Sequence, residues 1–175
     1  MPDQPNSYAL FKRLHASKGM QYLNRRKIRA FTLNVFQGNL DELRKTCDLI
    51  EDPESGLRLI QASMDTGNNA AHMEVLRRLH NFLAAAKSLV DHTRLFIDEH
   101  YARTPIQEAY AQKVESDLSQ DPLVKFVQDL RNYMLHRDLP ASSMSISVSR
   151  IENSIAQDLT TAATIDKQAI FTWSG

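Results

Sequence analysis

Apolar residues recur at helical spacing along most of the chain. Leu123, Phe126, Val127, Leu130 and Met134 fall at i, i+3, i+4, i+7 and i+11, which predicts a helix with one core-facing stripe. Both its ends are marked: Asp121 is an N-cap candidate, Pro122 takes the first helical position, and Pro140 forbids continuation past Leu139. Val75, Leu76, Leu79, Phe82, Leu83, Ala86, Leu89, Val90, Phe96 and Ile97 hold one phase over roughly six turns. They predict a single long helix from about Ala70 to Tyr101, the spine of the fold.

The remaining helices are shorter. Tyr8, Leu10, Phe11 and Leu14 predict one from Ser7, capped at Lys18-Gly19. Ile28, Phe31 and Val35 predict another from Gln21 to Phe36, closed by Gly38, although Phe31, Leu33 and Val35 also suit a strand. Asn39 opens a helix to about Ile50, Asp52-Pro53 one containing Leu57, Leu59 and Ile60, and Thr104-Pro105 one reaching Leu118. Asn68 or Asn69 is the expected cap of the spine, and Met1 to Asn6 is expected to be a disordered polar tail.

After Pro140 the period changes to two. Met144, Ile146 and Val148 alternate with Ser143, Ser145, Ser147 and Ser149, which reads as a strand with one wet face. Ala169 to Trp173 is a second apolar run and the expected partner strand, with Ile151 to Lys167 as a polar connection. Two strands alone are marginally stable, so they must lie against the bundle or belong to a larger sheet. The expected fold is therefore mainly α: a bundle of about five to seven helices with one long central helix, and a short C-terminal β-strand appendage. Residues 1–140 form the bundle domain and 141–175 the appendage, which stops straight after an apolar run, as a truncated chain would.

Composition narrows the function classes. Five glycines in 175 residues disfavour Rossmann and P-loop architectures. The net charge is zero, so no overall field points to nucleic acid or membrane. The cations are unevenly placed, however. Nine Lys and Arg precede residue 46 against Asp3, Asp41 and Glu42, and Arg25, Arg26, Lys27 and Arg29 form a run that would track an RNA backbone or serve as a solvated face. The single Cys47 excludes an internal disulfide and a cysteine metal cluster. No export signal and no apolar run of about 18 residues appears, so a cytoplasmic protein without membrane contact is expected. His72, His80, His92 and His100 lie on the spine without i, i+4 spacing and are read as ordinary histidines, with no metal or other cofactor expected.

The chemistry concentrates on the helix Asp121 to Leu139. Arg131 lies about 90° from its apolar stripe, while Asn132 and His136 project together from nearly the opposite side. Val124, Arg131 and Leu135 make a second, thinner stripe that wants a further partner. His136 sits in the last turn, where the helix dipole favours a cation, and suits proton transfer near neutral pH. Arg131-Asn132-Tyr133-Met134-Leu135-His136 resembles the R-N-x-x-x-H form of the R-x(4–6)-H motif of the HEPN superfamily, small helical bundles that include metal-independent endoribonucleases of toxin–antitoxin and phage-defence systems. Arg94 to His100 also fits the loose form, but its two side chains diverge on an uninterrupted helix and it is read as accidental.

The resemblance covers this one helix closely and implies Arg131, His136 and Asn132 as catalytic residues. It further implies RNA as substrate, an antitoxin or nucleotidyltransferase as partner, and a homodimer through Asp121–Leu139. Arg131 and His136 diverge by about 140° on an ideal helix, which itself calls for two chains to complete one site. Asp138 stands where some members carry a tyrosine modified by the partner antitoxin. The competing expectation is a non-catalytic HEPN-like interaction or nucleotide-binding module, with Arg131 paired to an acid such as Glu108 or Asp129.

Overall fold

The computed structural model describes residues 6–67, 69–150 and 157–172. Two long helices dominate it, α2 (Lys18–Glu51) and α4 (Ala70–Tyr101), joined by α3 (Pro53–Thr66) and preceded by α1 (Ser7–His15). They run antiparallel, because successive pairs climb one helix as they descend the other. Tyr22 and Tyr101 share a hydrogen bond at 3.1 Å, Arg25 pairs with Glu99, Thr32 with His92 and Phe36 with Phe82, and Arg78 bridges to Glu42. The spine Ala70–Tyr101 has the bounds its periodicity predicts.

The expected break at Gly38 is absent. α2 is one helix of 34 residues, and it begins earlier than expected because Ser17 Oγ accepts from Met20 N and so ends α1 at His15. Gly19 lies inside α2 and caps nothing. A glycine in an exposed helix interior costs only about 1 kcal/mol relative to alanine, and packing on α4 to both sides of Gly38 outweighs that. α1 is helical as its pattern predicts, yet Tyr8, Leu10, Phe11 and Leu14 all remain exposed.

Asp52 caps α3 through Ser55 N at 2.9 Å, with Pro53 at the first position and Gly67 left-handed at the end. Asn68 lies outside the described residues. Asn69 occupies the cap position of α4, but its side-chain oxygen accepts from Ser63 Oγ instead. α5 (Pro105–Val114) continues through a π-helical turn, Glu115–Ser119, and Thr104 directs its hydroxyl back to Tyr101 O rather than capping forward. α6 (Pro122–His136) starts with Asp121 accepting from Leu123 N at 2.7 Å and stops three residues before Leu139, where Arg137 leaves helical geometry.

The expected second strand is a correction. β1 (Ser142–Arg150) pairs antiparallel with β2 (Gln157–Ile165), drawn from the supposed polar connection, whereas Gln168–Phe171 of the apolar run forms a short helix, α7. Leu159, Thr161, Ala163 and Ile165 alternate at period two opposite Val148, Ile146, Met144 and Ser142, a signal that short side chains conceal. Trp173 and, of the expected tail Met1 to Asn6, Met1 to Pro5 lie outside the described residues, while Asn6 caps α1 by accepting from Tyr8 N at 3.1 Å. The hairpin does lie against the bundle: buried Thr161 donates to Ile50 O, and Ile170 of α7, 1% exposed, joins Leu83, Leu130, Tyr133 and Met134 in the core. Among the described residues no helix is long and apolar enough to cross a membrane.

Two glycines make opposite predictions. A methyl group at Gly38 meets nothing within 4 Å, so Gly38→Ala is expected to stabilise the protein by about 1 kcal/mol. A methyl group at buried Gly56 would fall on Ile50 O and the Thr161 side chain, and Gly56→Ala is expected to cost about 1–3 kcal/mol. Urea midpoints of the two variants should move in opposite directions.

Candidate active site

α6 is fixed in rotation by its core residues Leu130, Tyr133 and Met134, packed on Leu83 and Ile170. That rotation decides what its other faces meet. Val124, Val127, Gln128, Arg131 and Asn132 turn toward α4 and, with Leu83, Ala86, Lys87, Val90 and Arg94, line a cleft of about 480 Å³. The second stripe therefore finds its partner within the chain for Val124 and Arg131, while Leu135 stays exposed.

Arg131 is half-buried at this cleft. Its Nη1 donates to Asn132 Oδ1 at 3.0 Å, and its buried Nε has no partner among the described residues. Neither Glu108, Asp129 nor any other described acid pairs with it. The guanidinium is thus positioned by a neutral amide and keeps its charge uncompensated, which suits an incoming anion. His136 is exposed in the last turn, does not line the cleft, and makes no hydrogen bond to a described residue. One chain brings Arg131 and Asn132 together and leaves His136 apart.

The cationic run on α2 is divided in its roles. Arg25 is spent on Glu99 at 2.9 Å. Arg26 and Arg29 line a shallow groove of about 320 Å³ with Leu33, Leu89 and Thr93, Arg29 standing 5.8 Å from the Phe96 ring, and Lys27 is exposed.

Motif spacing gives Arg94 no role beyond its accidental pairing with His100, and the structure separates that pair. Arg94 lines the Arg131 cleft, whereas His100 lines a different pocket beside Arg25 and Glu99. The signal for its true place is the spacing Leu83, Lys87, Val90, Arg94, one face of the spine at i, i+4, i+7 and i+11.

Three of the four spine histidines have partners among the described residues. Thr32 Oγ1 donates to Ile28 O and so accepts from His92 Nδ1 at 2.7 Å; His72 Nε2 meets Ser142 Oγ at 2.7 Å; His100 packs on Tyr22 and Phe96. The hydrogen bond shared with Tyr22 raises the pKa of Tyr101. Among the described residues no three His, Cys, Asp or Glu side chains are grouped to hold a metal ion. Burial, then Glu51 and Asp48, push the Cys47 thiol up, which disfavours the thiolate a nucleophile would need. No protein-family model, curated protein or solved structure matches the chain.

Proposed function

We propose that the protein is a HEPN-type, metal-independent endoribonuclease acting as a homodimer through the α6 face, in toxin–antitoxin or phage-defence biology. The observation that carries this reading is Arg131: a half-buried guanidinium in a cleft, held by Asn132 and paired with no described acid.

In this mechanism the 2′-oxygen of RNA attacks the adjacent phosphorus. His136 takes the 2′-hydroxyl proton, and Arg131 stabilises the charge gathering on the phosphoryl oxygens. The bond from phosphorus to the 5′-oxygen breaks, and that oxygen is protonated by imidazolium or water, leaving a 2′,3′-cyclic phosphate and a 5′-hydroxyl. Leu135 and His136 in the last turn of α6, and Leu139 beyond it, are each exposed, so a twofold contact there would bring one chain's His136 toward the other chain's Arg131.

The test is cleavage of a single-stranded RNA in EDTA with the oligomeric state recorded on the same sample. Dimeric protein that yields cyclic phosphate ends in EDTA supports the reading; absence of cleavage, or cleavage abolished by EDTA, sinks it. The separation of His136 from the cleft in one chain favours a second reading, a non-catalytic HEPN-like interaction or nucleotide-binding module, which an inactive but RNA- or nucleotide-binding protein would support.

A further inference from the structure

The Arg131 cleft and the Arg26–Arg29 groove lie side by side around α4. Leu89 and Thr93 line the groove, whereas Val90 and Arg94, each the next residue, line the cleft. Consecutive helical residues are turned about 100° from each other, so a ligand leaving one depression enters the other across the shoulder of α4 that carries Arg94.

Charge pairing singles out the same residue. Of the other Lys and Arg on α4, Arg77 is held by Glu74, Arg78 by Glu74 and Glu42, and Lys87 by Asp91. Arg94 is exposed and has no ion pair or hydrogen bond with any described residue. Arg26, Arg29, Arg94 and Arg131 thus offer successive guanidiniums without a described carboxylate partner, passing from α2 over α4 to α6. No carboxylate is among the residues lining either depression. Clustered cations along a path are what a phosphodiester strand requires, and Arg recognises phosphate through its planar fork.

We infer that Arg94 is a phosphate-binding residue that carries a single RNA strand across α4, from Arg26 and Arg29 into the cleft holding Arg131. The inference rests on RNA being the substrate, as proposed above, and adds the route by which the strand reaches the site. Arg25 lies outside this path because Glu99 holds it.

Binding of a fluorescent single-stranded RNA to His136→Ala protein, followed by anisotropy over a range of salt concentrations, tests the route without cleavage. Removing one cation that neutralises a phosphate lowers the slope of log K against log salt by about 0.7 for a single strand. Arg94→Gln should lower it by that amount, the double variant Arg26→Gln/Arg29→Gln by about 1.4, and Arg94→Lys should restore it. Arg58→Gln, a surface ion pair on α3, should leave the slope unchanged.

An unaltered slope in Arg94→Gln, or RNA binding without salt dependence, overturns the route. The two proposals fail separately: wild-type cleavage with an unchanged Arg94→Gln slope removes the route and keeps the nuclease, while a lowered slope in a protein that never cleaves RNA does the reverse.

Discussion

Replacing His136 with alanine is expected to lower RNA cleavage by about 100- to 10,000-fold near neutral pH, the range for removal of a general acid–base group. The fold should be unaffected, because His136 is exposed and bonds to no described residue, and such surface changes usually stay within about 0.5 kcal/mol. Arg131→Ala should cost about 100- to 1,000-fold through weaker charge stabilisation. Arg131→Lys should recover little of this, because an ammonium lacks the fork that meets Asn132 and phosphate together.

Mixing the two dead proteins tests the two-chain geometry. If each site takes Arg131 from one chain and His136 from the other, a heterodimer of Arg131→Ala with His136→Ala contains one intact site. Random exchange should then return about a quarter of wild-type activity. A mixture that stays inactive under conditions of subunit exchange would place both groups on one chain and remove the stated reason for dimerisation.

The helices that carry the candidate site were legible because their signals are local. Asp121-Pro122 marks the start of α6, and the spine holds one phase from Val75 to Ile97. What went unread depends on neighbours distant in sequence. Gly38 looks like a stop until α4 is placed beside α2, with Phe36 on Phe82 before it and Glu42 on Arg78 after it. Ala169 to Phe171 has a strand's composition, but Ile170 is drawn into a core built by Leu83 and Leu130, and the helical turn is how it gets there.

The same limit hid Arg94. Sequence places it on the spine, but its role depends on the rotation of α6, set by buried Tyr133 as well as by Leu130 and Met134 of the apolar stripe. That rotation turns Arg131 toward Arg94, while helical spacing points His136, on the same helix, away from the cleft. Motif spacing alone favoured the pair Arg131 and His136; packing groups Arg131 with Arg94.

Ile170→Ala is expected to cost about 2–5 kcal/mol, the range for truncating a fully buried aliphatic side chain. Ile170 is 1% exposed and touches the cluster that seats α6 on α4. A domain's total stability is about 5–15 kcal/mol, so this single side chain represents a large fraction of it. Neighbouring Phe171 is a control: it is 62% exposed and meets Phe126 only at 5.8 Å, so Phe171→Ala should cost about 1 kcal/mol or less. Urea unfolding measures both. A small loss for Ile170→Ala would mean that α7 rests on the bundle without completing its core. A large one makes the C-terminal segment part of the scaffold of the proposed site, since the helix it holds in place is the one bearing Arg131, Asn132 and His136. Cleavage by Ile170→Ala, measured below its unfolding transition, should then fall alongside stability, whereas Phe171→Ala should cleave as the wild type does.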